Sequence, residues 1–138
     1  MKVTWTYDRG EQRDNHEVEL TDPDALEALL RDIQRAGEPV VLTIFNDTSD
    51  DPDDLPPGIQ IGLGHPTHAF AVHIADDGDY LNDPTAETPT KGLHFDFGGV
   101  PTEYPAKHLQ LRPETAIQLA VTFLKTDGEP PHLSAVTE

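Results

Sequence analysis

The run Val40–Phe45, VVLTIF, is apolar on both of its faces. Side chains alternate along a β-strand, so a strand with one wet face reads apolar, polar, apolar. This run does not, and it belongs at the centre of a sheet covered on at least one side by helix. A helix precedes it directly, in LTDPDALEALLRDIQRAG. Leu26, Leu29, Leu30 and Ile33 recur there at i, i+3, i+4 and i+7. Thr21 or Asp22 can cap the start, Pro23 suits the first turn and Gly37 ends the element.

Shorter alternations mark the other strands. KVTWTY puts Val3, Trp5 and Tyr7 on one face, and HEVEL puts Val18 and Leu20 inward, with the charged turn around Gly10 joining them as a hairpin. GIQIGLG separates Ile59, Ile61 and Leu63 from Gln60, Gly62 and Gly64. HAFAVHIA separates Phe70, Val72 and Ile74 from Ala69, Ala71 and His73, and pairs with it through His65–Thr67. GLHFDFGG places Leu93, Phe95 and Phe97 inward, His94 and Asp96 outward. RPETAIQLAVTFLKTDG reads as a second helix with Pro113 in its first turn, a buried stripe of Ile117, Ala120, Val121 and Leu124, and a stop at Gly128. The tail, 129–138, adds a short edge segment or frays.

These elements predict one α+β domain over residues 1–138, a mainly antiparallel sheet of about six strands with two helices packed on one face. The opposite face is predicted to be small and polar, built from Gln60, Gly62, Ala69, Ala71, His73, His94 and Asp96. Such a face is either covered by loops or open to a partner.

Two acidic loops, at about 46–58 and 76–91, interrupt the pattern. The first, NDTSDDPDDLPPG, holds Asp47, Asp50, Asp51, Asp53 and Asp54; the second opens on Asp76, Asp77 and Asp79 and continues past Tyr80 to Asp83. The formal net charge is -17, from 26 acidic and 9 basic residues. Residues 46–104 alone carry 12 acids and 1 base. Like charges this dense repel and add nothing to fold stability, and an adaptation for solubility would spread them more evenly. Phosphate backbones and anionic membranes require a basic surface, so they are excluded as direct ligands. The natural partner is cationic.

No cysteine is present, which excludes disulfides, thiolate metal sites and thiol nucleophiles and fits a reducing compartment. MKVTWTYDRG has no apolar signal core and no run reaches membrane-spanning length, so the expected location is the cytoplasm. His65 and His68 are close in sequence, but Pro66 forbids the helical geometry of a zinc helix. GLGHPT lacks the third glycine of a phosphate loop, and its glycines instead suit close approach of a backbone or helix to the sheet. Neither serine, Ser49 or Ser134, sits in a strand-to-helix elbow. Calcium-loop registers on Gly58 and Gly78 fail, because Leu55 and His73 fall on ligand positions. Together these point away from an enzyme, with no metal or cofactor, and toward binding through charge: carboxylates on loops beside a rigid sheet steer a basic protein into place. The alternative from another class is a calcium- or salt-dependent acidic binding domain.

The order hairpin, DPDALEALLRDI, VVLTIF, GIQIGLG, HAFAVHI, GLHFDFGG and a helix ending FLKTDGEPP resembles the first immunity protein family of bacterial polymorphic toxin systems. The most distinctive pieces are IQIGLG with the strand after it and the ending Phe123 to Pro130; the aromatic residue that many relatives carry after the last proline is absent from PPHLSAVTE. The resemblance implies an inhibitor of the C-terminal toxin domain of a secreted effector, with deaminases and nucleases among the toxins concerned. The residues expected to contact it are Asp47, Asp50, Asp51, Asp53, Asp54, Asp76, Asp77, Asp79 and Asp83, with Tyr80 as aromatic anchor.

Overall fold

The structure is a computed structural model that describes residues 1–9, 12–45, 58–74 and 80–126. In chain order its elements are β1 (Lys2–Arg9), β2 (Gln12–Glu19), α1 (Pro23–Ala36), β3 (Val40–Phe45), β4 (Gly58–Leu63), β5 (Phe70–Ile74), β6 (Leu93–Phe97), β7 (Val100–Tyr104), a short 3₁₀ turn (Ala106–His108) and α2 (Pro113–Lys125). The main sheet runs β2-β1-β3-β4-β5, every neighbour antiparallel, and the hairpin β6–β7 joins it through β3. Both helices lie on one face, as the pattern predicts.

Local chemistry sets the helix ends. The Asp22 carboxylate accepts from the Asp24 amide at 3.0 Å, Pro23 opens α1, and Gly37 closes it in the left-handed region at φ 73°. In α2, Pro113 opens the helix and Thr126 caps its end; the expected stop, Gly128, lies outside the described residues. The buried side of α2 is wider than the predicted stripe, for Ala116, Leu119 and Phe123 are buried as well and Leu124 only partly so. The cause is double contact: α2 packs on α1 and on the sheet together. Val3, Trp5, Leu26, Leu30, Leu42, Ile44, Ile59, Ile61 and Leu63 complete this main core.

The face opposite the helices departs from the expectation. Register pairs Ile59 with His73 and Ile61 with Ala71, so Ala69, Ala71 and His73 point toward the helices and the His73 ring meets Phe123 edge-on. Phe70 and Val72 therefore take the other side, which is aromatic rather than small and polar. Alternation decides which residues share a face, and the connection decides which face it is. Alanines beneath α2 let the helix approach closely. Phe70 in turn lies across Gly62, where a Cβ would overlap its ring. A second core results, of Val41, Phe70, Phe95 and Leu109 with Tyr80 and Tyr104 packed against it.

β1 pairs with β3 only from Leu42 to Phe45. Below Leu42 the strands part, and β6 takes the vacated place beside Val40, donating the Asp96 amide to the Pro39 carbonyl at 3.0 Å. Continuing along β3 would drive β6 into β1, so the hairpin rises onto the second face. Its return strand, β7, was not anticipated: Pro101 interrupts the run and normally argues against a strand, but at a sheet edge it costs no ladder bond.

Candidate functional site

The candidate site is one end of the sheet. Phe45 at the end of β3 pairs with Gly58 at the start of β4, and Gly58 pairs with Ile74 at the end of β5. The chain leaves at Phe45 toward 46–57, returns at Gly58, and leaves again at Ile74 toward 75–79. Both aspartate-rich stretches therefore hang from one row of three paired residues. Asp47, Asp50, Asp51, Asp53, Asp54, Asp76, Asp77 and Asp79 lie outside the described residues. Their attachment is firm: buried Gly58 leaves room for a Cβ only within 3.2 Å of the Ile44 carbonyl and the Ile74 side chain. At the same end Lys2 reaches Glu17 at 3.4 Å and stands 6.0 Å from the centre of the Phe45 ring.

The chain returns to β5 at Tyr80, which bridges Val72, and the Leu81 amide donates to the Ala71 carbonyl at 2.8 Å. The Tyr80 ring stacks on His108 with centroids 3.8 Å apart and lies 6.1 Å from Phe70. It is a member of the second core, and burial raises its phenol above the ordinary range. Burial, with Tyr80 beside it, pushes the Tyr104 phenol up to about 12. The His108 imidazole is held below its usual range by burial and by Lys107.

Asp83 is 5% exposed. Its carboxylate accepts from the Thr85 amide at 2.9 Å and the Thr85 hydroxyl at 2.7 Å, and its amide donates to the Gln110 carbonyl at 2.8 Å. The Thr85 bonds hold it below the usual carboxylate range. Asp83 thus ties the segment after Tyr80 to the chain leading into α2.

Elsewhere, a groove of about 650 Å³ opens between the end of α1, Pro66–His68 and the start of α2. Arg31 crosses it to grip Glu114 with two bonds of 2.7 and 2.8 Å. Gln34 clamps the loop beside it, donating to the His65 carbonyl and accepting from the Gly64 amide. His65 Nδ1 accepts from the amides of Thr67 and His68, and burial and His68 keep that imidazole below its usual range. No group of three or more His, Cys, Asp or Glu among the described residues is placed to hold a metal ion. No helix among them is long and apolar enough to cross a membrane.

Two surface residues escaped the sequence reading. Phe97 and Val100, expected buried or not considered, flank the Gly98–Gly99 turn and are 42% and 51% exposed. The signal was present in FGGV, since two glycines between strand formers mark a two-residue hairpin.

Taken together, these features define an acidic α+β domain with aspartate-rich segments attached at one end of its sheet. Its sequence matches the family described as Immunity protein Imm1 over residues 14–137, nearly the whole chain. The chain belongs to that immunity protein family. Membership implies toxin immunity as the function and a cognate toxin as the partner, in a family that in general acts without enzymatic turnover. No curated protein and no solved structure matches the chain.

Proposed function

We propose that this immunity protein neutralises a basic, nucleic-acid-targeting toxin domain, a deaminase or nuclease, at the C-terminus of a polymorphic toxin effector. It does so as a single domain in the cytoplasm of the producing cell, covering the toxin's active site or substrate cleft. A nucleic-acid enzyme must present a positive cleft to its substrate, and a dense carboxylate surface competes for that cleft. Asp47, Asp50, Asp51, Asp53 and Asp54 make contact with the toxin, as do Asp76, Asp77 and Asp79. Tyr80 and Asp83 support the second stretch from within.

The observation that carries this reading is the row Phe45, Gly58, Ile74, from which both aspartate-rich stretches depart. Like charges attached at one end of a sheet give a field that raises association rates by roughly 10- to 1,000-fold, and loops on a rigid sheet are where such recognition residues sit. Reversing Asp50, Asp51, Asp53 and Asp54 to lysine slows association with the toxin domain by about tenfold or more at low salt, while the thermal midpoint does not fall. Stopped-flow association with the effector's C-terminal domain measures this. Equal rates for parent and variant would remove the loop from the contact.

A further inference from the structure

The second face of the sheet is only partly covered. The hairpin β6–β7 and the aromatic core lie over the end near Val41 and Gly62. Beside them Thr4, Thr6, Thr43 and Gln60 form a half-buried polar strip across β1, β3 and β4, with Gln60 donating to the Thr43 hydroxyl at 3.4 Å. We propose that this strip and the hairpin tip form a second docking surface for the cognate toxin domain, with Phe97 and Val100 as its apolar anchors. The inference rests on the toxin reading and deepens it.

Four observations support it. First, Phe97 and Val100 are the large hydrophobic residues left exposed among the described ones, and they face each other across the hairpin, so their side chains leave the same side. A single exposed apolar residue is ordinary, but a pair on one hairpin tip is the form an interface anchor takes. Second, the tip is a tight turn set against β2. Gly98 and Gly99 have φ of 60° and 81°, as a tight hairpin turn requires, and Gly99 is so close to the Arg13 side chain that a Cβ would fall 2.8 Å from it.

Third, Phe97 and Gly98 form one wall of a cleft of about 130 Å³ whose other wall is Thr4, Thr6 and Thr43. That volume is well below the roughly 300 Å³ at which metabolite sites begin, and it suits one inserted side chain of a protein. Glu17 and Glu19, paired across from Thr4 and Lys2, border the same face together with Lys2, whose ammonium lies 3.4 Å from Glu17, so the border offers an inserted polar group charged partners of both signs. Fourth, the strip is continuous with the acidic end. From Thr43 to Phe45, or from Gln60 to Gly58, is one same-face step of about 7 Å. An apolar anchor, a polar floor and a charged rim on one surface reproduce the layout of a protein–protein interface.

The test uses the full chain and, as probe, the catalytically inactivated C-terminal domain of the cognate secreted effector. Surface-immobilised kinetics are recorded for the parent, for Phe97→Ser with Val100→Ser, and for the four-aspartate reversal. The hairpin variant is expected to dissociate at least about tenfold faster with an association rate within about twofold of parent. Hydrogen exchange on the parent chain should show residues 96–101 protected in the complex, a readout that stands even if the variant does not fold. An unchanged dissociation rate in a folded variant, or no protection of 96–101, overturns the inference and leaves the toxin reading standing. Failure of the parent to bind the probe overturns both.

Discussion

At the scale of single residues, two positions carry more of the fold than their size suggests. Gly62 exists for Phe70: the ring occupies the space a side chain would need, and through it the second core closes over the sheet. Gly62→Ala should therefore destabilise the protein by about 1–3 kcal/mol, the usual cost of overpacking. Adding Phe70→Leu should return part of that loss, and urea unfolding of the single and double variants measures the coupling. The sequence marks Gly62 and Gly64 alike as sites of close approach. Gly64 indeed meets the backbone at Glu38, yet the neighbour of Gly62 is a side chain, since composition cannot say what fills the space a glycine leaves. Asp83 is the second case. The Thr85 bonds lower its folded-state titration, so the unfolded chain takes up the proton first on acidification, in the ordinary range near about 4. Its stabilisation is present above that range and lost as pH falls from it through the lowered folded-state value. Asp83→Asn should lower the thermal midpoint at pH 7, and the gap between parent and variant should narrow as the pH is taken below the ordinary carboxylate range in scanning calorimetry.

At the scale of elements, α1 and α2 meet through an apolar seam with a polar rim. Arg31 grips Glu114, and Gln118 donates to Glu27 at 2.9 Å. The Arg31 and Glu114 side chains are 37% and 60% exposed, so water screens the pair despite its two short bonds. A double-mutant cycle with Arg31→Ala and Glu114→Ala should give a coupling of no more than about 1 kcal/mol, whereas Leu30→Ala, fully buried beneath α1, should cost about 2–5 kcal/mol. The same ranking explains what was legible in advance. Elements defined by apolar periodicity, α1 and β3 to β5, emerge from the sequence because burial is what fixes them. β2 starts at Gln12, four residues before the readable alternation, because its polar first half is held by pairing to β1, with His16 stacked on Trp5 at 5.0 Å. β7 is hidden by Pro101. The side taken by Phe70 depends on the loop from Gly64 to Ala69, a tertiary fact without a periodic trace. The candidate site divides likewise: charge density marks the acidic stretches in the sequence, whereas Phe97 and Val100 become a surface only once β6 is displaced from the sheet.

At the scale of the whole molecule, the densest runs of charge are attached to the fold at one end of the sheet. The cores lie within and above the sheet, and the chain departs for the stretches richest in aspartate at Phe45 and Ile74. That arrangement has two consequences that salt distinguishes. Self-repulsion in a chain of formal net charge -17 opposes compactness, so screening should help the isolated protein. Long-range steering of a basic partner relies on the same field, so screening should slow its capture. Raising NaCl from 0.1 to 1 M shortens the screening length from roughly 10 to 3 Å. The thermal midpoint of the free protein should then rise while the association rate with the toxin domain falls by about tenfold or more. The four-aspartate reversal should weaken both responses together, because one group of charges produces both. A variant that loses the salt effect on association but keeps the whole of the salt effect on stability would place the self-repulsion elsewhere on the surface, and the steering alone in the loop.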